Sequence, residues 1–258
     1  MKSQCPICDG TIWKRVERDG VVRVVRCECW AGGTVVSTIE NAGVPRRYLD
    51  CAFDSRGGGK PFDDLDAKLE KSRRISEKWA DEFPDVEAGL LISGPPGVGK
   101  THLSVAILRR ILVERGINVR ALFVDFRSLL REIKTSYDPD TRSTEVEVLR
   151  PVLEAEPLIL DDLGGENPTL WVFDTLFYIL NYRYNEKKPT IITTNFSDRP
   201  SKKGPAENPG FGRRGVVEHT LSERITVRMR SRLYEMCRDV VIDGVDYREK
   251  TLQANFKS

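Results

Sequence analysis

Residues Gly94-Pro95-Pro96-Gly97-Val98-Gly99-Lys100-Thr101 read G-P-P-G-V-G-K-T and match the phosphate-loop pattern G-x-x-x-x-G-K-[ST] at every fixed position. Leu90-Leu91-Ile92-Ser93 just before them is a short apolar strand. The run from His102 to Leu108 reads as a helix with an apolar face. Gly97 and Gly99 let the loop bend so that successive backbone N–H groups point inward as an anion nest. Pro95 and Pro96 carry no N–H and stiffen the entry. The helix starting near Lys100 adds unpaired N–H groups and the positive end of its dipole. On this pattern Lys100 reaches the β- and γ-phosphates and the Thr101 hydroxyl ligates Mg2+. The whole stretch from Gly94 to His102 is the expected ATP-binding segment.

A phosphate loop needs an acidic partner for its metal, at the end of another buried strand. Pro157-Leu158-Ile159-Leu160-Asp161-Asp162 supplies one. Asp161 is expected to hold Mg2+ through its water shell. Asp162 is expected to orient or deprotonate the attacking water, with Glu166 close enough in sequence to share that work. The bland alternative is a pair of solvated aspartates at a strand end. A third strand, Pro189-Thr190-Ile191-Ile192-Thr193-Thr194, ends in Asn195. Asn195 is suited either to holding the lytic water or to forming a turn.

The rest of the chain bounds the class. At 258 residues it holds one full α/β core plus a small appendage. Strands alternating with helices imply a parallel sheet covered by helices on both faces. Helices are expected over 66–82, 127–136, 144–154, 169–185 and 222–236. Further strands are expected near 118–124 and 239–242. The net charge of +2 does not announce a nucleic-acid binder. No apolar run is long enough for a membrane span, and the N-terminus has no apolar signal segment, so a cytoplasmic protein is expected.

Residues 1–34 form a separate cysteine-rich head. Cys5-Pro6-Ile7-Cys8 is C-x-x-C and Cys27-Glu28-Cys29 is C-x-C. Asp19-Gly20 between them is a hairpin signal that would bring the two pairs together. Four thiolates around one structural Zn2+ would staple a segment too short for its own apolar core. A redox pair and unligated thiols are the alternatives. Cys51 and Cys237 read as buried apolar residues. Residues 35–70, with Gly57-Gly58-Gly59 and Pro61, read as a linker with a few anchor residues, leaving 71–258 as the ATPase domain. Ser201–Gly215 is a basic Gly/Pro-rich loop containing Lys202, Lys203, Arg213 and Arg214.

Several ordered stretches carry a family resemblance. They are the 94–103 loop, Leu158–Glu166, Asn181-Tyr182-Arg183-Tyr184-Asn185, Asn41–Tyr48, Arg230–Cys237 and Ile242–Arg248. Together they resemble the DnaC-like bacterial helicase loaders of the AAA+ class, which share an ATPase module with the IstB transposition helpers. The resemblance implies an AAA+ P-loop NTPase core with ATP and Mg2+ as cofactors. It also implies a homo-oligomer, ring or spiral, whose sites lie between subunits. A neighbour's arginine then senses the γ-phosphate, and Arg228 and Arg232 match the arginine-finger and second-sensor positions. Arg224 shares their spacing of four. The family's DNA-contacting region falls on Arg127, Arg131 and Lys134, which would track single-stranded DNA phosphates. The implied activity is ATP-dependent loading of a replicative DNA helicase. The alternative is an IstB-like ATPase that directs a transposase to target DNA. A small-molecule kinase is a third reading, without an evident acceptor pocket. Asp162 departs from the Glu that many related ATPases carry, being one methylene shorter.

Overall fold

The computed structural model describes residues 38–55, 59–60, 67–138, 140–141, 143–167, 169–197, 220–244 and 246–251, together with the backbone of two strands, β1 (Trp13–Arg18) and β2 (Val21–Arg26). Of 67–68 and 250–251, too, only the backbone is described.

Leu90-Leu91-Ile92 and Leu158-Ile159-Leu160 are buried on both faces, and so they read as continuous apolar runs instead of alternating ones. They belong to β3 (Gly89–Ser93) and β5 (Leu158–Asp161). With β4 (Leu122–Asp125), β6 (Thr190–Thr194) and β7 (Cys237–Val241) they form a five-stranded sheet in the order β4-β5-β6-β3-β7. Every neighbouring pair is parallel. Leu91, Leu158, Leu160 and Ile192 point into one apolar cluster, shared with the helices Phe126–Thr135, Glu145–Glu154, Leu170–Asn185 and Val227–Met236. Leu90, Ile92, Ile159 and Ile191 point into the other, with the helices Ala67–Glu82 and Lys100–Arg109. The period-2 alternation of the strands thus divides the core into two layers.

Local chemistry sets the helix starts. Thr144 and Glu147 form a reciprocal capping box, and Thr169 accepts from Val172 N (3.3 Å). Asp125 accepts from Ser128 N (2.7 Å). The 38–53 region is anchored: Ile39, Ala42, Val44, Ala52 and Phe53 are buried, and Phe123 N donates to Ala42 O (2.6 Å). Cys51 and Cys237 are buried thiols, as the sequence suggests.

Three boundaries differ from expectation. β4 starts only at Leu122, where its pairing with Leu158 begins. β7 starts at Cys237, earlier than 239. The expected helix over 222–236 is two helices, Leu221–Ile225 and Val227–Met236, broken at Thr226. Thr226 takes φ 75° and caps the second helix, its Oγ1 accepting from Met229 N (3.4 Å). Arg224 therefore does not share a helix face with Arg228 and Arg232.

β1 and β2 pair antiparallel with Arg18 opposite Val21, the register that a turn at Asp19-Gly20 requires. That turn, the four cysteines Cys5, Cys8, Cys27 and Cys29, and the 201–215 loop lie outside the described residues. Among the described residues, no helix is long and apolar enough to cross a membrane.

Candidate active site

β6 lies between β3 and β5, so the phosphate-loop strand and the acidic strand are separated by the strand that ends in Asn195. All three end at one edge of the parallel sheet, the edge where open α/β sheets place their ligands. Ser93 pairs with Thr194, and Asp125 with Asp161, which fixes the depth of each functional side chain.

The loop leaves β3 at Gly94 and bends at Gly97 (φ 77°) and Gly99 (φ 99°), where a side chain would be strained. Gly99 caps the helix Lys100–Arg109. Lys100 is buried, and its Nζ donates to Gly94 O (2.8 Å) and Pro95 O (2.7 Å). Burial lowers its pKa to about 8, with Asp162 and Asp161 opposing that shift. The ammonium is thus parked on its own loop, and a polyphosphate is the stronger partner for it.

The acidic half of the site is already assembled. Thr101 Oγ1 donates to Asp161 at 3.0 Å, and Thr193 Oγ1 donates to the same carboxylate at 2.6 Å. Burial raises the Asp161 pKa to about 6; the two hydroxyl hydrogen bonds oppose that rise and Asp162 and Asp125 add to it. A buried carboxylate against a threonine hydroxyl is a hard-oxygen donor set of the kind Mg2+ takes. Thr101 and Asp161 fit that ion, which would neutralise phosphate charge there.

Asp162 adopts φ 57°, a left-handed conformation costly for a residue with a Cβ. The turn is held by Asp162 N donating to Thr193 Oγ1 (2.9 Å) and Gly165 N to Asp162 O (3.2 Å). The carboxylate Oδ1 accepts from Asn195 Nδ2 (2.7 Å). Asn195 and Asp162 therefore form one polar pair, able to hold a water and take its proton. Thr193 binds both aspartates and was not singled out from the sequence. Its signal was its place two residues before Asn195 on one strand face.

Other expected residues are placed differently. The His102 ring nitrogen faces Ala52 O (3.2 Å), so this side chain is turned to the 38–53 region instead of the loop's phosphate side. Glu166 pairs with Arg127 (2.7 Å), which also donates to Gly165 O (2.8 Å). This draws Glu166 away from sharing the role of Asp162 and ties one DNA candidate to the acidic turn. Arg131 is exposed, and Lys134 sits over the Trp171 ring at 4.9 Å. Arg224 stacks on Phe196 (4.8 Å), next to Asn195, and Arg232 stacks on Phe177 (4.7 Å). Arg228 is exposed.

The sheet order, the phosphate loop on β3 and the carboxylates ending β5 define an AAA+ P-loop NTPase-like fold. The chain belongs to the family described as IstB-like ATP binding protein, whose model matches residues 60–199. It is 26% identical over 161 residues to the replicative helicase loader DnaC of Buchnera aphidicola, covering 62% of each chain. It is 31% identical over 142 residues to the replicative helicase loader DnaI of Bacillus subtilis, covering 55% of this chain and 42% of that one. The chain thus spans less than two thirds of these curated relatives. Among solved structures, a DnaC helicase loader aligns with TM-score 0.60 and 31% identity, covering 77% of this chain and 99% of the other. DnaI follows with TM-score 0.58 and 26% identity, covering 77% and 94%.

Proposed function

We propose that the chain is an ATP-dependent loader of the replicative DNA helicase onto single-stranded DNA, working by nucleotide-controlled oligomerisation and Mg2+-dependent ATP hydrolysis. The observation that supports this most is the alignment with the solved DnaC helicase loader, at 31% identity over 99% of that chain. In this reading Lys100 and the loop amides hold the phosphates. Thr101 and Asp161 hold Mg2+, and Asp162 with Asn195 positions the lytic water. The protein works in the cytoplasm, and Arg131 and Lys134, with Arg127, track DNA phosphates. Affinity capture of the tagged chain from its native host tests the client. A hexameric helicase is the expected catch. A transposase in its place would overturn the reading in favour of the IstB-like alternative, which belongs to the same family.

Arg228 is the exposed member of the arginine set, and we assign it the contact with a neighbour's nucleotide. Arg228→Ala is expected to lower steady-state ATP turnover by about a hundredfold at assembly concentrations while leaving MgADP affinity nearly unchanged. Loss of MgADP binding in this variant would place the residue in its own subunit's site and sink the assignment.

The cysteine spacing of the head supports a structural Zn2+ held by Cys5, Cys8, Cys27 and Cys29. Elemental analysis of reduced protein is expected to give about one zinc per chain. A zinc-free preparation that keeps its hairpin signature by circular dichroism would remove the proposal.

A further inference from the structure

The segment after β7 folds back over the phosphate loop. Ile242 N donates to Ser93 O (2.8 Å), and Tyr247 N donates to Gly97 O (3.1 Å). Both the entry to the loop and its bend are tied to this one segment. A Cβ built on Gly94 would strike Ile242 O, and one built on Gly97 would overlap the Asp246 carboxylate. Asp246 therefore lies directly against the bend of the anion nest. Its Oδ1 accepts from Arg248 N (2.8 Å), which locks the carboxylate into a local turn. Asp246 and Arg248 also both act on the Lys100 charge.

This placement runs against the rest of the site. The chain gathers N–H dipoles and an ammonium for an anion, then sets a carboxylate of its own on the same loop. Like charges in such a place disfavour one another. We infer that the segment carrying Ile242, Asp246, Tyr247 and Arg248 is a nucleotide-responsive strap in which Asp246 is a specificity-determining carboxylate that bound phosphates displace. Nucleotide binding then breaks the Tyr247–Gly97 bond and releases the strap. The strap reports occupancy of the loop, because the Asp246 carboxylate lies against the bend that a bound phosphate would approach, and the two anions repel. Asp246 also weakens nucleotides held by the phosphate loop alone, favouring those that bring a divalent cation to offset its charge.

The inference rests on the ATP-site reading, and the test separates the two. MgADP and metal-free ADP affinities are measured by calorimetry on the full chain for wild type, Asp246→Asn and Asp246→Ala. Asparagine keeps the acceptor for Arg248 N and removes only the charge. Asp246→Asn is expected to bind metal-free ADP about tenfold more tightly than wild type, with a smaller gain for MgADP. Asp246→Ala should share the gain, since the charge is what both remove. Hydrogen exchange at the Tyr247 amide should speed up when MgADP is added to wild type. Equal or weaker ADP binding in Asp246→Asn would overturn the strap, as would a Tyr247 amide that nucleotide protects. A wild-type chain that binds no MgADP would remove the nucleotide site and the strap with it; binding in wild type alongside an unaltered Asp246→Asn removes the strap alone.

Discussion

Lys100→Ala is expected to cut ATP turnover by about a hundredfold or more. The Lys100 ammonium donates to Gly94 O and Pro95 O and has three donors, so one is left for an anion. Asp161 and Asp162 both act on its charge. Removing it leaves two carboxylates facing a polyphosphate with less positive charge to balance them. The variant also strips Gly94 O and Pro95 O of a donor, so part of the effect could be a loosened loop. Lys100→Gln separates the two causes. Its amide can still donate to one of those carbonyls but carries no charge. Turnover that stays low in Lys100→Gln with an unchanged melting temperature assigns the loss to charge. Wild-type turnover in either variant would sink the assignment of the phosphate site.

The parts of this site that follow from local pattern were legible in the sequence. The apolar run Leu90–Ile92, the glycines at 97 and 99 and the helix behind Lys100 form a strand-turn-helix whose geometry is set within a dozen residues. The same holds for the acid-ended β5 and for the helix starts at Thr144 and Thr169, where capping chemistry is written next to the helix it caps. What was not legible depends on contacts between distant segments. Thr193 earns its role only because β6 lies beside β5, which places its hydroxyl on Asp161. Glu166 looks free in sequence, yet Arg127 reaches it from the preceding strand-helix unit. His102 follows the loop directly, but helical geometry turns its ring to Ala52. The break at Thr226 could not be read either, because threonine rarely adopts φ 75° and its neighbours keep an unbroken helical pattern. Gly97 and Asp246 lie far apart in the chain, and only the return of the segment after β7 brings them together.

The largest stability effect is expected from a residue that never touches the site. Arg183 is fully buried in the helix Leu170–Asn185, where a charge is costly unless its donors are satisfied. Its Nη1 donates to Val152 O (3.0 Å), Leu153 O (3.1 Å) and Ala155 O (3.0 Å). These are carbonyls at and just past the end of the helix Glu145–Glu154, which have no partner within that helix. Its Nη2 donates to Pro189 O (2.8 Å), and its Nε to Thr190 Oγ1 (2.8 Å). Burial lowers its pKa to about 10, so the group stays charged at neutral pH. The guanidinium thus clamps the end of one helix to the start of β6, the strand that delivers Thr193 and Asn195. Arg183→Ala leaves a cavity and several buried carbonyls without a donor, and the expected loss is about 4 kcal/mol. Against a typical domain stability of roughly 5–15 kcal/mol this is close to unfolding. Arg183→Lys keeps the charge but cannot span the same fork of acceptors, so it should recover roughly half. Urea unfolding of the three proteins measures both effects. A loss below about 1 kcal/mol in Arg183→Ala would mean that water takes over these carbonyls, and the clamp would then be ornamental to β6.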